Sequence, residues 1–139
     1  MIKLPLALAT ALTFSLAVLP ASAHSGHEHQ AVEAGDHAHH APHGGAVRTV
    51  GKYHYELLAK TDKLQVFLLD DTLKPLPTAG ITGQAIVQVP GKGKQTVTLS
   101  PKGDRFEGAA TLAGTKTFVA IVSLKLDGKN QSARFKYQL

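Results

Sequence analysis

The sequence predicts an all-β protein, an antiparallel two-sheet sandwich of immunoglobulin-like type, and three observations predict it. From residue 46 onward apolar and polar residues alternate with period 2 in short runs. Gly, Pro, Asp or Thr bound each run, and no helical periodicity intervenes. Seven or eight such strands in about 95 residues suit two stacked sheets, with a small β-barrel as the alternative closure.

The strands follow in order. Residues 46–50 form the first, after Gly44 and Gly45. Residues 53–60 and 63–70 form the second and third, joined across Thr61 and Asp62 as a tight hairpin. Residues 71–80 carry Pro75 and Pro77, which confine them to a crossing loop or a sheet edge. Residues 84–89 and 95–100 make another hairpin about the Gly-Lys-Gly-Lys run at 91–94, and 105–112 is a weaker strand. Residues 117–126 alternate most clearly, with Phe118, Ala120, Val122, Leu124 and Leu126 on one face. After the Asp127-Gly128 turn signal, the last strand points Ala133, Phe135, Tyr137 and Leu139 inward and Ser132, Arg134, Lys136 and Gln138 outward.

This domain spans residues 43–139, and what precedes it has a different composition. Residues 1–23 hold one basic residue, Lys3, an apolar run over 4–19, Pro20, and the small triplet Ala21, Ser22, Ala23. That is the pattern of a secretory signal peptide cleaved after Ala23, and the run falls short of the roughly 20 residues that a spanning helix needs. A periplasmic protein, with no membrane association after cleavage, is expected. Residues 24–42 are mostly His, Ala, Gly, Glu and Asp, with Val32 the only large apolar residue. Such a stretch buries too little surface to offset its ordering entropy, so a disordered His-rich arm is expected there.

Composition excludes several functions. The formal net charge of +5 is spread over single lysines near turns, without the basic stripe and interleaved aromatics of a nucleic-acid interface. No cysteine is present, which excludes thiolate zinc sites, iron–sulfur clusters and cysteine nucleophiles. Met1 is the only methionine, so soft ligands for Cu(I) are lacking, whereas imidazole and carboxylate suit Zn(II), Cu(II), Ni(II) or Co(II). Neither a G-x-S-x-G nor an H-E-x-x-H motif occurs, and Asp70 and Asp71 are adjacent on a strand end and so point to opposite sides. An enzyme is not expected.

All eight histidines lie between residues 24 and 54. His27 with His29, and His37 with His39 and His40, put several imidazoles within reach of one ion, and Glu28, Glu33, Asp36 or water would complete a shell. Cleavage after Ala23 would also make His24 the first residue, whose amine and ring nitrogen chelate together in the manner of a histidine brace. Where arm meets sandwich the site is more defined. His54 and Glu56 share one face of their strand, opposite Tyr53, Tyr55 and Leu57, and a turn through Gly51 and Lys52 folds His43 back toward them. Two imidazoles and a carboxylate with an open position make a reasonable Zn(II) or Cu(II) shell.

The residues Pro42, His43, Gly44, Gly45, Val47, Gly51, Tyr53, His54, Glu56 and Leu57 resemble a motif of small exported His-rich proteins encoded near heavy-metal resistance systems. They are also similar to a β domain near the start of periplasmic adaptor (membrane fusion) subunits of heavy-metal efflux pumps. The likeness extends through "VFLLD", residues 74–77 and the final "ARF". It implies metal contact by His43 and His54, with Glu56 as a further candidate, and an efflux pump component as partner. The chain lacks an adaptor's helical hairpin and further β domains. The expected function is therefore a periplasmic protein that buffers or delivers a divalent metal, with binding that weakens below about pH 6 as imidazoles protonate. The alternative is an exported sandwich module for interaction or assembly, whose His-rich arm is incidental.

Overall fold

A computed structural model describes residues 41–139. Eight strands fill them: β1 (Ala46–Val50), β2 (Tyr53–Ala59), β3 (Lys63–Leu69), β4 (Gly83–Val89), β5 (Gly93–Lys102), β6 (Arg105–Ala109), β7 (Thr117–Leu126) and β8 (Lys129–Gln138). Every neighbouring pair is antiparallel, in the order β1-β2-β3-β6-β5-β4-β7-β8. No helix occurs among the described residues. The strand β5 joins two sheets. Its first part, to Leu99, pairs with β4, and its end, from Ser100 to Lys102, pairs with β6.

One sheet is thus β1-β2-β3-β6 with the end of β5, and the other is β5-β4-β7-β8. The sets β2-β3-β6-β5 and β4-β7-β8 reproduce the four-plus-three strand order of an immunoglobulin-type sandwich, with β1 added outside it. The sharing of β5 also wraps the strands into one nearly closed sheet, so the sandwich and barrel descriptions meet in this molecule.

Alternation decides which side chains are buried. Tyr55, Leu57, Leu64, Val66, Leu68 and Phe106 of the first sheet face Val87, Leu99, Phe118, Val122, Leu124 and Phe135 of the second. The two sheets are bridged where β1 and β2 approach β8. The Tyr55 hydroxyl donates to Gln131 O at 3.2 Å, the Tyr137 hydroxyl accepts from Ala59 N–H at 3.3 Å, and the Arg48 guanidinium lies 5.9 Å from the Phe135 ring centre. Burial pushes the Tyr55 phenol up to about 12, with a smaller contribution from Tyr53.

Three details differ from the sequence reading. The strand β6 stops at Ala109, because Ala110 and Leu112 donate instead to Asp62 O and Thr61 O of the β2–β3 turn. The strand β5 runs on to Lys102 through Pro101, since its end finds a second partner in β6. Leu139 is 46% exposed rather than inward, because it lies beyond the end of β8 with its N–H donated to Lys116 O. The loop carrying Pro75 and Pro77 bridges Leu69 through Pro75 at the end of β3, and Asp70 shapes it by accepting from Thr72 and Lys74 N–H.

Candidate functional site

The site grows from the first turn of the described chain. Residues 41–44 form a β-turn closed by Gly44 N–H to Ala41 O at 3.1 Å, and Pro42 supplies the fixed φ of its first central position. Gly44 leaves the turn at φ +79, in the region that glycine tolerates. Gly45 is required for a different reason. A Cβ there would sit 2.5 Å from Leu57 O and 2.6 Å from Leu58 Cδ1, so only glycine lets the incoming chain lie against β2.

Into this turn points Glu56. On β2, Tyr55 and Leu57 face the core, which aims Glu56 outward with His54, as period 2 requires. It is nevertheless fully buried, because residues 43–45 fold over it. Its Oε1 accepts from His43 N–H at 2.8 Å and from Gly45 N–H at 2.9 Å. Its Oε2 lies 2.8 Å from His43 Nδ1. The His43 ring stacks on Phe67, with centroids 3.7 Å apart and planes 9° from parallel. Phe67 is there because it stands opposite Glu56 in the β2–β3 register.

An ionised carboxylate only accepts hydrogen bonds, so Nδ1 of a neutral His43 carries the proton and Nε2 carries the lone pair. Nε2 lies on the other side of the ring, on a side chain that is 29% exposed. A histidine that donates one ring N–H to a carboxylate while its other nitrogen is available is the usual arrangement behind a metal-bound imidazole.

The structure brings His43 and Glu56 together. His54 sits two residues before Glu56 on the same strand, and its Nδ1 lies 3.0 Å from Thr49 Oγ1, its partner across the β1–β2 hairpin. Among the described residues, no three His, Cys, Asp or Glu side chains gather closely enough to hold an ion between them. The predicted ligands His24, His27, His29, His37, His39 and His40 lie outside the described residues, as do the expected signal peptide and nearly all of the expected arm.

Sequence reasoning missed Phe67 as the floor of the site, and it missed that Glu56 is covered. A signal for Phe67 was available. A tight hairpin at Thr61 and Asp62 puts residue 67 opposite residue 56 by counting alone. Farther along the same outer face a second carboxylate, Glu107, is held by Gln65 Nε2 at 2.8 Å, Lys102 Nζ at 2.9 Å and Arg105 Nε at 3.0 Å. The hydrogen bonds from Lys102, Gln65 and Arg105, in that order of size, pull its carboxyl down to about 2.

Scans against protein-family models, curated proteins and solved structures return no match to this chain.

Proposed function

We propose that the chain is an exported heavy-metal-binding protein that buffers or delivers Zn(II), Cu(II), Ni(II) or Co(II), in the service of periplasmic metal efflux or resistance. One observation carries this reading. A buried carboxylate fixes the His43 ring through Nδ1 at 2.8 Å and leaves Nε2 on the side away from it, at the point where the His-rich stretch enters the domain. Seven of the eight histidines lie at or before that point, which supports capture by the stretch and holding at the domain. The ligand types are borderline nitrogen and oxygen donors, in keeping with the divalent ions named. The expected partner is a component of an efflux pump.

The experiment is calorimetric titration of the chain beginning at His24 with Zn(II) and Cu(II) at pH 7.5, beside its His43→Ala and His54→Ala variants. A one-to-one step tighter than about micromolar that His43→Ala removes is the expected result. Weak binding of several ions, the same in all three proteins, contradicts it.

A second reading, an exported interaction or assembly module, has its own observation. Ile86 on β4 and Ile121 on β7 stand directly opposite each other on the outer face of the second sheet, 36% and 39% exposed. That reading gains if the titration shows no one-to-one step and Ile121→Lys abolishes binding to a purified protein partner.

A further inference from the structure

We propose that the outer face of the second sheet docks a protein surface with an apolar centre flanked by carboxylates. This names the partner class for the face on which the second reading rests, and it rests on that reading. It is independent of metal binding, because Glu56 and the turn that covers it belong to the other sheet.

Cross-strand partners point to one side of a sheet, so the register lays this face out row by row. Thr96, Ile86, Ile121 and Arg134 form one row across β5, β4, β7 and β8, and Lys94, Gln88, Val119 and Lys136 form the next. Ile86, Ile121 and the half-buried Val119 therefore make one apolar patch on the middle two strands, with Lys94 on one flank and Arg134 and Lys136 on the other. Three strand spacings, about 14 Å, separate the flanks. Beyond Val119 a cleft of about 380 Å3, lined also by Pro90 and the Phe118–Tyr137 ring pair, has room for an apolar side chain. The row on the far side of the patch, Thr98, Gln84, Ser123 and Ser132, is neutral and polar.

Charge selects the partner. Residues 41–139 hold fourteen lysines and arginines and seven carboxylates. Six of the carboxylates lie on β2 and β6, in the β2–β3 and β5–β6 turns, or in the loop after β3. The seventh, Asp127 in the β7–β8 turn, is directed toward the first sheet, where it accepts from the Tyr53 hydroxyl at 3.2 Å and lies 3.9 Å from Lys52 Nζ. The strands of the second sheet thus present Lys94, Lys125, Arg134 and Lys136 on their outer face and no carboxylate. Protection of sheet edges accounts for charge on β8 and at the start of β5, but not for Lys125 on the inner strand β7 or for the single sign. Pairing this face with the same face of a second copy sets cations against cations, which excludes that occupant. A bilayer buries the isoleucines of a flat face only by taking the neighbouring hydroxyls and amides with them, without hydrogen-bond partners. A protein surface with carboxylates around an apolar centre satisfies the flanking cations, the polar row and the patch together.

The test uses protein expressed from the full-length sequence and an end-blocked synthetic peptide, Glu-Ser-Ile-Ser-Ile-Ser-Glu. Extended, this peptide sets two isoleucines on one side with a glutamate beyond each. Amide proton–nitrogen-15 spectra at pH 7.5 read where it binds and how tightly. The comparison probes are the same peptide with lysine for glutamate, the same peptide with serine for isoleucine, and vesicles of equal parts phosphatidylglycerol and phosphatidylcholine. Saturable shifts in the two rows through Ile86 and Val119 are expected, with a dissociation constant below about 1 mM for the first peptide alone. Arg134→Glu, Ile121→Ser, or a rise in salt from about 50 to about 300 mM should each weaken binding about fivefold or more, and His43→Gln should not. The side chains of Arg134 and Ile121 are exposed, so both variants are expected to melt as cooperatively as the unsubstituted protein.

Binding at these rows that the lysine peptide matches, or that Arg134→Glu and salt leave unchanged, overturns the acidic partner class while the second reading stands. If no peptide shifts these rows, both fall. Shifts produced by the vesicles and not by the peptide assign the face to a membrane and overturn the proposal.

Discussion

Glu56 and Glu107 are the only carboxylates in any strand of the described domain, they lie on the outer face of the same sheet, and their surroundings differ in kind. Glu107 is held by a lysine, an arginine and an amide, so its charge is compensated on the spot. Glu56 is held by two backbone N–H groups and one imidazole, and its only titratable hydrogen-bond partner is His43. The first arrangement closes a surface. The second fixes a turn and orients a ring, which leaves chemistry at the ring's far nitrogen. The strands β4, β5, β7 and β8 carry no carboxylate, so nothing on the second sheet repeats either arrangement.

Removing each side chain should break this contrast most visibly. Glu56→Ala orphans the His43 and Gly45 N–H groups and the imidazole under a covered surface. It is expected to lower unfolding free energy by about 3 kcal/mol, read by urea denaturation. Glu107→Ala is expected to cost clearly less, because Lys102 is largely exposed and finds water instead. Equal losses would mean that the two carboxylates are not different in kind.

The next effect is at Gly45. Gly45→Ala drives a Cβ into Leu57 O and should cost about 1–3 kcal/mol in the same assay, and it should weaken Zn(II) binding by displacing His43. Gly44→Ala serves as the comparison. Space is open around it, so its cost should come only from the positive φ and stay near 1 kcal/mol.

Acid sharpens the comparison further. The Glu107 carboxyl is depressed in the folded state to about 2 from 4.5, so the unfolded chain takes up the proton first as pH falls. Its contribution is present above pH 4.5 and is lost between there and about pH 2. Glu107→Gln should therefore flatten that part of the stability–pH curve, measured by thermal melts from pH 5 to 2. The smallest effects belong to the second sheet. Ile86→Thr and Ile121→Thr should change stability by no more than about 0.5 kcal/mol and leave Zn(II) binding unaltered.

Much of the fold could be read from alternation alone. Phe118, Ala120, Val122, Leu124 and Leu126 are all buried as a period of 2 requires, and β1, β2 and β7 begin where the turn residues place them. Strand ends were less legible, because Lys102 belongs to β5 only through its pairing with Arg105, and Ala110 leaves β6 to meet Asp62. Asp62 is distant in sequence from Ala110, and the Lys102–Arg105 pair closes a tight hairpin across Gly103 and Asp104 that carries β5 on through Pro101. The site divided in the same way. Period 2 put His54 and Glu56 on one face, but an outward carboxylate reads as exposed unless the Pro-His-Gly-Gly turn is known to close over it. That closure depends on Gly45 fitting against Leu57, a contact between chain segments that no local pattern encodes.

Long-range proton–nitrogen-15 NMR of the His43 ring, assigned by comparison with His43→Gln, decides whether Glu56 holds the ring proton on Nδ1 and leaves the lone pair on Nε2. A proton on Nδ1, facing Glu56 Oε2, and a Zn(II)-dependent shift confined to Nε2 are expected. A ring protonated on Nε2, or a Zn(II) shift at Nδ1, would contradict this placement.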